Sequence, residues 1–306
     1  MKTAVKSICL SLLIIILASC TPAKDETNSS IASKSTAKAS ARDEAAITPS
    51  KAAPSSSASA QPQTTEIPQT TAAPSIDINT LLDGKRSDPG DIYDASGFVS
   101  VTDVIPDAIL DIRYNSEYNF IGDRVRGYEE PVALLSKEAA AALREASDIL
   151  RKKGYRIKIF DAYRPQTAVD HFVEWAEDIG DTRMKKDFYP DLDKSVLFDY
   201  GYIARYSGHS RGCTVDMTLF DMNTGKDADM GGPFDYFGEL SHPDYTGVTE
   251  QQYNNRMILR DAMQSCGFSP CGTEWWDFRL IDEPYPDTYF SFPVSIASLT
   301  KSGAEG

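Results

Sequence analysis

No phenylalanine, tyrosine or tryptophan occurs in the first 92 residues of this 306-residue chain; all 13 Phe, 15 Tyr and 3 Trp lie at or beyond Tyr93. From Thr21 to about Ile78 the sequence is Ser, Thr, Ala and Pro with scattered charges. Such a stretch buries too little apolar surface to offset the entropy of ordering it, so residues 21–91 are expected to be a disordered tether. Folded structure is expected over 92–306, enough for one domain with a sizeable core.

The first twenty residues read differently. Lys2 and Lys6 give a basic start, Ile8 to Leu17 an apolar run, and Leu17-Ala18-Ser19-Cys20 a small-residue site ending in cysteine. The run is too short to cross about 30 Å of hydrocarbon, so residues 1–20 are expected to be a signal peptide and the protein to be exported. The ending resembles a bacterial lipoprotein signal, which implies acylation of Cys20 and a lipid anchor in the cell membrane, facing the wall or periplasm. An ordinary secretory peptide is the alternative.

Residues 1–90 hold 9 of the chain's 31 Lys and Arg and 8 of its 45 Asp and Glu, which leaves 22 basic and 37 acidic side chains for the rest. So acidic a domain argues against nucleic acid and against docking on anionic lipid. Cys213, Cys266 and Cys271 are an odd number in an oxidising place, so at most one pair can close, and Cys266 and Cys271 flank a turn they could bridge. A catalytic cysteine is disfavoured because no histidine neighbours Cys266 or Cys271 in sequence.

Ser136 is expected to cap a helix with the stripe Ala139, Ala142, Leu143, Ala146, Ile149 and Leu150, stopped by Gly154. Tyr155 to Phe160 alternates as a half-buried strand. A second helix follows Pro165 and buries Ala168, Val169, Phe172, Val173 and Ala176. Thr249 with Gln252 forms a capping-box pattern opening a third, through Met257, Leu259 and Met263 to Gly267. Cys213 to Leu219 and Glu274 to Leu280 read as short strands. The order predicts an α+β fold, a small, mostly antiparallel sheet with helices packed on it.

One histidine and one carboxylate stand out. Ser207-Gly208-His209-Ser210-Arg211-Gly212 places a histidine in a polar, Gly-rich loop, and the strand that follows carries Asp216 among apolar residues. A buried aspartate needs a partner, and a divalent metal is the strongest available, so His209 and Asp216 are candidate ligands.

From about Ile109 onward the chain resembles the zinc-dependent D-alanyl-D-alanine dipeptidases of the vancomycin-resistance type. The matching blocks are Asn119-Phe120 with Gly122 and Gly127-Tyr128-Glu129; Asp161-Ala162-Tyr163-Arg164-Pro165; His209 to Asp216; Met230-Gly231 with Phe234-Asp235; Glu274-Trp275-Trp276; and Asp282-Glu283-Pro284-Tyr285-Pro286 with Phe292-Pro293. The resemblance implies one zinc per chain on His209 and Asp216, Glu274 as general base, and Arg164 stabilising the transition state. It also implies that Tyr114, Ser207 and Asp235 line the dipeptide site, with Asp235 facing the substrate's ammonium.

The chain departs from that family at one position. The family pattern is Glu-Trp-Trp-His, whose histidine is the third ligand; here Asp277 follows Glu274-Trp275-Trp276. Alternation would put Glu274 and Asp277 on opposite faces of a strand, so the backbone must bend or bulge there. Asp277 either ligates the metal itself, with Mn²⁺ or Co²⁺ then tolerated beside zinc, or leaves the shell to water or His242, or marks a dead site. His171 reads as structural. The expected activity is hydrolysis of D-Ala-D-Ala outside the cytoplasm. The alternatives are a D,D-carboxypeptidase acting on peptidoglycan stems and a catalytically weakened wall-binding lipoprotein.

Overall fold

The structure, a computed structural model, describes residues 92–301. The expected signal segment with Cys20, the linker 21–91 and residues 302–306 lie outside the described residues.

The strands are β1 (Phe98–Ser100), β2 (Ile109–Leu110), β3 (Leu134–Ser136), β4 (Tyr155–Asp161), β5 (Thr214–Asp221), β6 (Lys226–Asp227), β7 (Phe268–Pro270) and β8 (Asp277–Leu280). The helices are α1 (Val101–Val104), α2 (Lys137–Lys152), α3 (Gln166–Glu177), α4 (Lys185–Phe188), α5 (Glu250–Ser265) and α6 (Ile296–Lys301). The main sheet runs β2-β4-β5-β8-β7, with β6 on the end of β5; only β2 and β4 are parallel. β1 and β3 form a separate antiparallel pair. The result is the α+β architecture the sequence predicts.

Local chemistry explains the long helices. The Ser136 hydroxyl accepts from the Ala139 amide at 3.1 Å, and Gly154 at φ +91° turns the chain out after α2. Pro165 stands just before α3, which buries all five residues named above. At α5 both halves of the capping box form, with Thr249 and Gln252 each bonding the other's backbone. Helices α2 and α5 pack on each other, α2 also on β4 and α5 on β7. Beneath them Ile157, Ile159, Val215, Met217, Leu219 and Phe278 are all buried to within 1 %.

Two expected strands are shifted. That at 213–219 runs Thr214–Asp221. That at 274–280 starts only at Asp277, because Glu274 to Trp276 form a turn closed by the Asp277 amide donating to the Glu274 carbonyl at 3.3 Å. That turn is the bend that the spacing of the two carboxylates demanded.

Candidate active site

On β5, Val215, Met217 and Leu219 face the helices, while Thr214, Asp216 and Thr218 face the other way, as a two-residue period requires. Asp216 pairs directly with Asp277 on β8. On β4, Ile157 and Ile159 pair with Leu219 and Met217, and then the register slips by one so that Asp161 pairs with Asp216. That bulge moves Asp161 off the core face and onto the face of Asp216. Three aspartates thus form a row across three neighbouring strands, an arrangement that repels itself unless positive charge sits on it.

His209 meets this row from a short 3-10 turn, Gly208–Arg211. The Ser207 hydroxyl caps the turn by accepting from the His209 amide at 3.2 Å. Gly212 ends it at φ +78°, where a Cβ would lie 2.2 Å from the Phe98 ring. The imidazole is oriented by its Nδ1, 2.7 Å from the Ala162 carbonyl. Its Nε2 lies 3.5 Å from Asp216 Oδ1 and 3.6 Å from Asp277 Oδ2.

These separations bear on whether a cation fits. Two donors each about 2.0–2.2 Å from one tetrahedral ion stand about 3.3–3.6 Å apart, longer than a good hydrogen bond. Asp216 Oδ1 is moreover buried with no hydrogen-bond partner. A buried carboxylate oxygen without a donor is costly, and a shared ion would satisfy it. Asp161 also brings an oxygen into the group, since it, His209 and Asp216 offer atoms within 4.8 Å of one another. Its oxygens are already used: one accepts from Tyr128 Oη at 2.6 Å, the other from Arg164 Nε at 2.9 Å. Besides Asp161, which forms with His209 and Asp216 a group whose atoms lie within 4.8 Å of one another, three donors stand in reach of a divalent cation, His209 Nε2, Asp216 Oδ1 and Asp277 Oδ2.

Around this set the other groups are held firmly. Arg164 is fixed by Asp161 on one side, approaches Asp216 at 3.6 Å, and has its guanidinium carbon 5.0 Å from the ring centres of Tyr114 and Phe172. Tyr114 donates towards both oxygens of Asp235, at 3.1 and 3.0 Å. Asp235 sits at φ +61°, a left-handed conformation that aspartate tolerates better than most residues. Glu274 is half-buried on its turn, which Trp275 and Trp276 anchor as an edge-to-face pair at 5.2 Å. The Trp275 amide donates to the Ser241 carbonyl, and the Trp276 carbonyl accepts from Met217.

The electrostatics show an excess of buried negative charge. Burial, then the charges of Asp277, Asp216 and Asp235, hold the Glu274 carboxyl well above the usual range. Burial and the Asp216 charge lift Asp235 to about 8. Burial raises Asp216 to about 6 against the pull of His209. Burial works to lower His209, but the neighbouring carboxylates, Asp216 foremost, outweigh it and raise the imidazole to about 10. A divalent cation on the three donors would reverse this, favouring neutral imidazole and ionised carboxylates.

A cleft of about 250 Å³ opens over the group. All eight residues singled out from the sequence line it: Tyr114, Arg164, Ser207, His209, Asp216, Asp235, Glu274 and Asp277. His242 does not; it lines a neighbouring cleft. His171 lies on α3 with Nδ1 accepting from the Arg126 amide at 3.3 Å. Cys266 and Cys271 are free thiols rather than a bridge, and so is Cys213, whose burial lifts it to about 11. The sequence reading gave no role to Asp161 or Tyr128, although both stand in quoted motifs; the signal was an acid three residues before Arg164. Cys271, expected only as half of a possible bridge, also lines the cleft.

A polar cleft with one histidine, clustered carboxylates and a fixed arginine on an α+β sheet defines a hydrolase of the metallopeptidase type. The family model described as D-ala-D-ala dipeptidase matches residues 94–295, and the chain belongs to that family. It is 41% identical over 200 residues to a D-alanyl-D-alanine dipeptidase of Enterococcus faecalis, covering 65% of this chain and 99% of that one. It is 40% identical over 198 residues to one of Streptomyces coelicolor, covering 65% and 98%. An Escherichia coli protein of the same name is 32% identical over 187 residues, covering 61% and 86%.

Proposed function

We propose that this protein is a cation-dependent dipeptidase that cleaves D-Ala-D-Ala outside the cytoplasm, with His209, Asp216 and Asp277 holding the ion. The unpartnered Oδ1 of Asp216, facing the His209 imidazole beside Asp277, carries this reading. A zinc or similar ion held there supplies Lewis acidity that polarises the scissile carbonyl and makes a nearby water more acidic. Glu274 takes the proton of the attacking water onto a carboxylate oxygen as the new C–O bond forms. It then gives that proton to the amine nitrogen as the C–N bond breaks. With the cation in place Glu274 is ionised, as a group that must first accept a proton has to be. Arg164, fixed by Asp161, directs guanidinium N–H groups at the charge growing on the carbonyl oxygen. Asp235, held by Tyr114, receives the substrate's ammonium, whose charge restores the ionised carboxylate. Ser207 lines the same cleft while capping the turn of His209.

The part of the cleft beside Asp235, about 250 Å³, is of a size for a free dipeptide, and a second cleft of about 330 Å³ adjoins it at Ser207, His209 and Asp277. Export and an anchor on Cys20 would place the enzyme where wall-derived dipeptides are released, so we assign it scavenging of these. Purified protein incubated with D-Ala-D-Ala and Zn²⁺, Mn²⁺ or Co²⁺ in turn should release D-alanine. Glu274→Gln should lower the turnover number by about 10²- to 10⁴-fold while leaving cation binding in place. No D-alanine with any of the three ions would sink the proposal.

A further inference from the structure

We infer that Asp277 sets the cation preference of the site, holding an oxygen-preferring ion such as Mn²⁺ on closer terms with zinc than a second imidazole would. This rests on the cation site proposed above and sharpens it. The chain has three histidines. His171, on α3, accepts from the Arg126 amide and His242 lines a different cleft, so His209 alone brings a ring nitrogen to the ion. The other two donors are carboxylate oxygens from directly paired strand positions, Asp216 and Asp277. Imidazole favours zinc and its softer neighbours, whereas carboxylates favour Mn²⁺ and Mg²⁺, and two of them balance a divalent charge. Nor is Asp277 free to swing away. Its backbone is fixed by its amide donating to the Glu274 carbonyl at 3.3 Å, its carbonyl accepting from the Cys271 amide at 3.0 Å, and its pairing with Asp216, so its Cβ stays on the site face. With 19% of its side chain exposed, the carboxylate is directed inward at His209.

The test measures dissociation constants for Zn²⁺ and Mn²⁺ on the purified full chain by competition with a chelator of known affinity. Wild type, Asp277→His and Asp277→Asn are compared. The ratio of the Mn²⁺ constant to the Zn²⁺ constant should rise by at least about tenfold in Asp277→His, because an imidazole replaces an oxygen donor. It should also rise in Asp277→Asn, which keeps the shape but removes the charge on which the harder ion depends more. A ratio unchanged within about twofold in both variants would overturn the inference while leaving the cation site standing. So would an Asn variant that binds both ions as tightly as wild type. Wild type binding neither ion would remove the inference and the proposed function together.

Discussion

Asp235 illustrates how much of the chemistry depends on the surroundings of one side chain. On an open surface it would be an ordinary carboxylate; here burial and the Asp216 charge lift it to about 8, and the left-handed backbone aims it at the Tyr114 hydroxyl. If it receives an ammonium, Asp235→Asn removes a charge-assisted contact of about 1.5–3 kcal/mol. We expect kcat/KM for the free dipeptide to fall by about 10- to 100-fold, mainly through KM, in steady-state assays. An unchanged KM would contradict that role. Asp161 shows where reading by residue stops. In the sequence it is an acid beside a strand end, and only pairing with β5 reveals that it faces Asp216 and restrains Arg164. By contrast His209 and Asp216 were legible because the chain has only three histidines and an acid inside an apolar strand stands out, whereas Glu274 was reached through the family resemblance.

Among elements, β4, β5 and β8 place three like charges side by side, and the cost falls on the pairing of β8 with β5. A cation shared by Asp216, Asp277 and His209 would turn that repulsion into a clamp. Binding confined to the folded state stabilises by about 2.7 kcal/mol at a hundredfold excess over Kd. For a domain of this size that is roughly 5–10 °C in melting temperature. Calorimetry should therefore show a drop of that order after treatment with a chelator and recovery on adding Zn²⁺ or Mn²⁺. No shift would argue against a shared ion. The long helices were readable because caps and apolar stripes are local signals. The strands of two or three residues, β1, β2, β3, β6 and β7, were not, since so few positions carry no periodicity and their pairing is set by distant partners. The turn at Glu274 lay between: its spacing showed that a bend was needed but not where the strand would begin.

For the molecule as a whole, aromatic packing dominates. Phe98 contacts Tyr163, Phe290 and Phe292 edge-on at 4.8–5.2 Å, joining β1 to the far C-terminal segment, and Tyr114, Phe120 and Phe172 build a second cluster under the cleft. Several of these rings carry buried hydroxyls. Burial raises Tyr114, Tyr128 and Tyr163 well above their ordinary value and Tyr189 to about 12. The folded state thus binds protons more tightly than the unfolded one, so this contribution is complete below about pH 10 and is lost as the pH climbs through the folded values. We expect melting temperature to fall steeply between about pH 10 and 12, with tyrosinate absorbance rising in the same step. Ionisation of these four tyrosines ahead of the transition, followed residue by residue by NMR, would contradict the burial of their hydroxyls. The overall architecture was visible in sequence from element order.

The slip of register at the end of β4 has a wider meaning. One surplus backbone unit converts a position phased for grease into one phased for chemistry, without a new loop or a longer chain. Regular pairing of β4 through that point, with no residue removed, would turn Asp161 back among the aliphatics and set Arg164 adrift, whereas deleting Phe160 would leave Asp161 opposite Asp216. A catalytic surface can in this way be gained or erased by a change of phase alone.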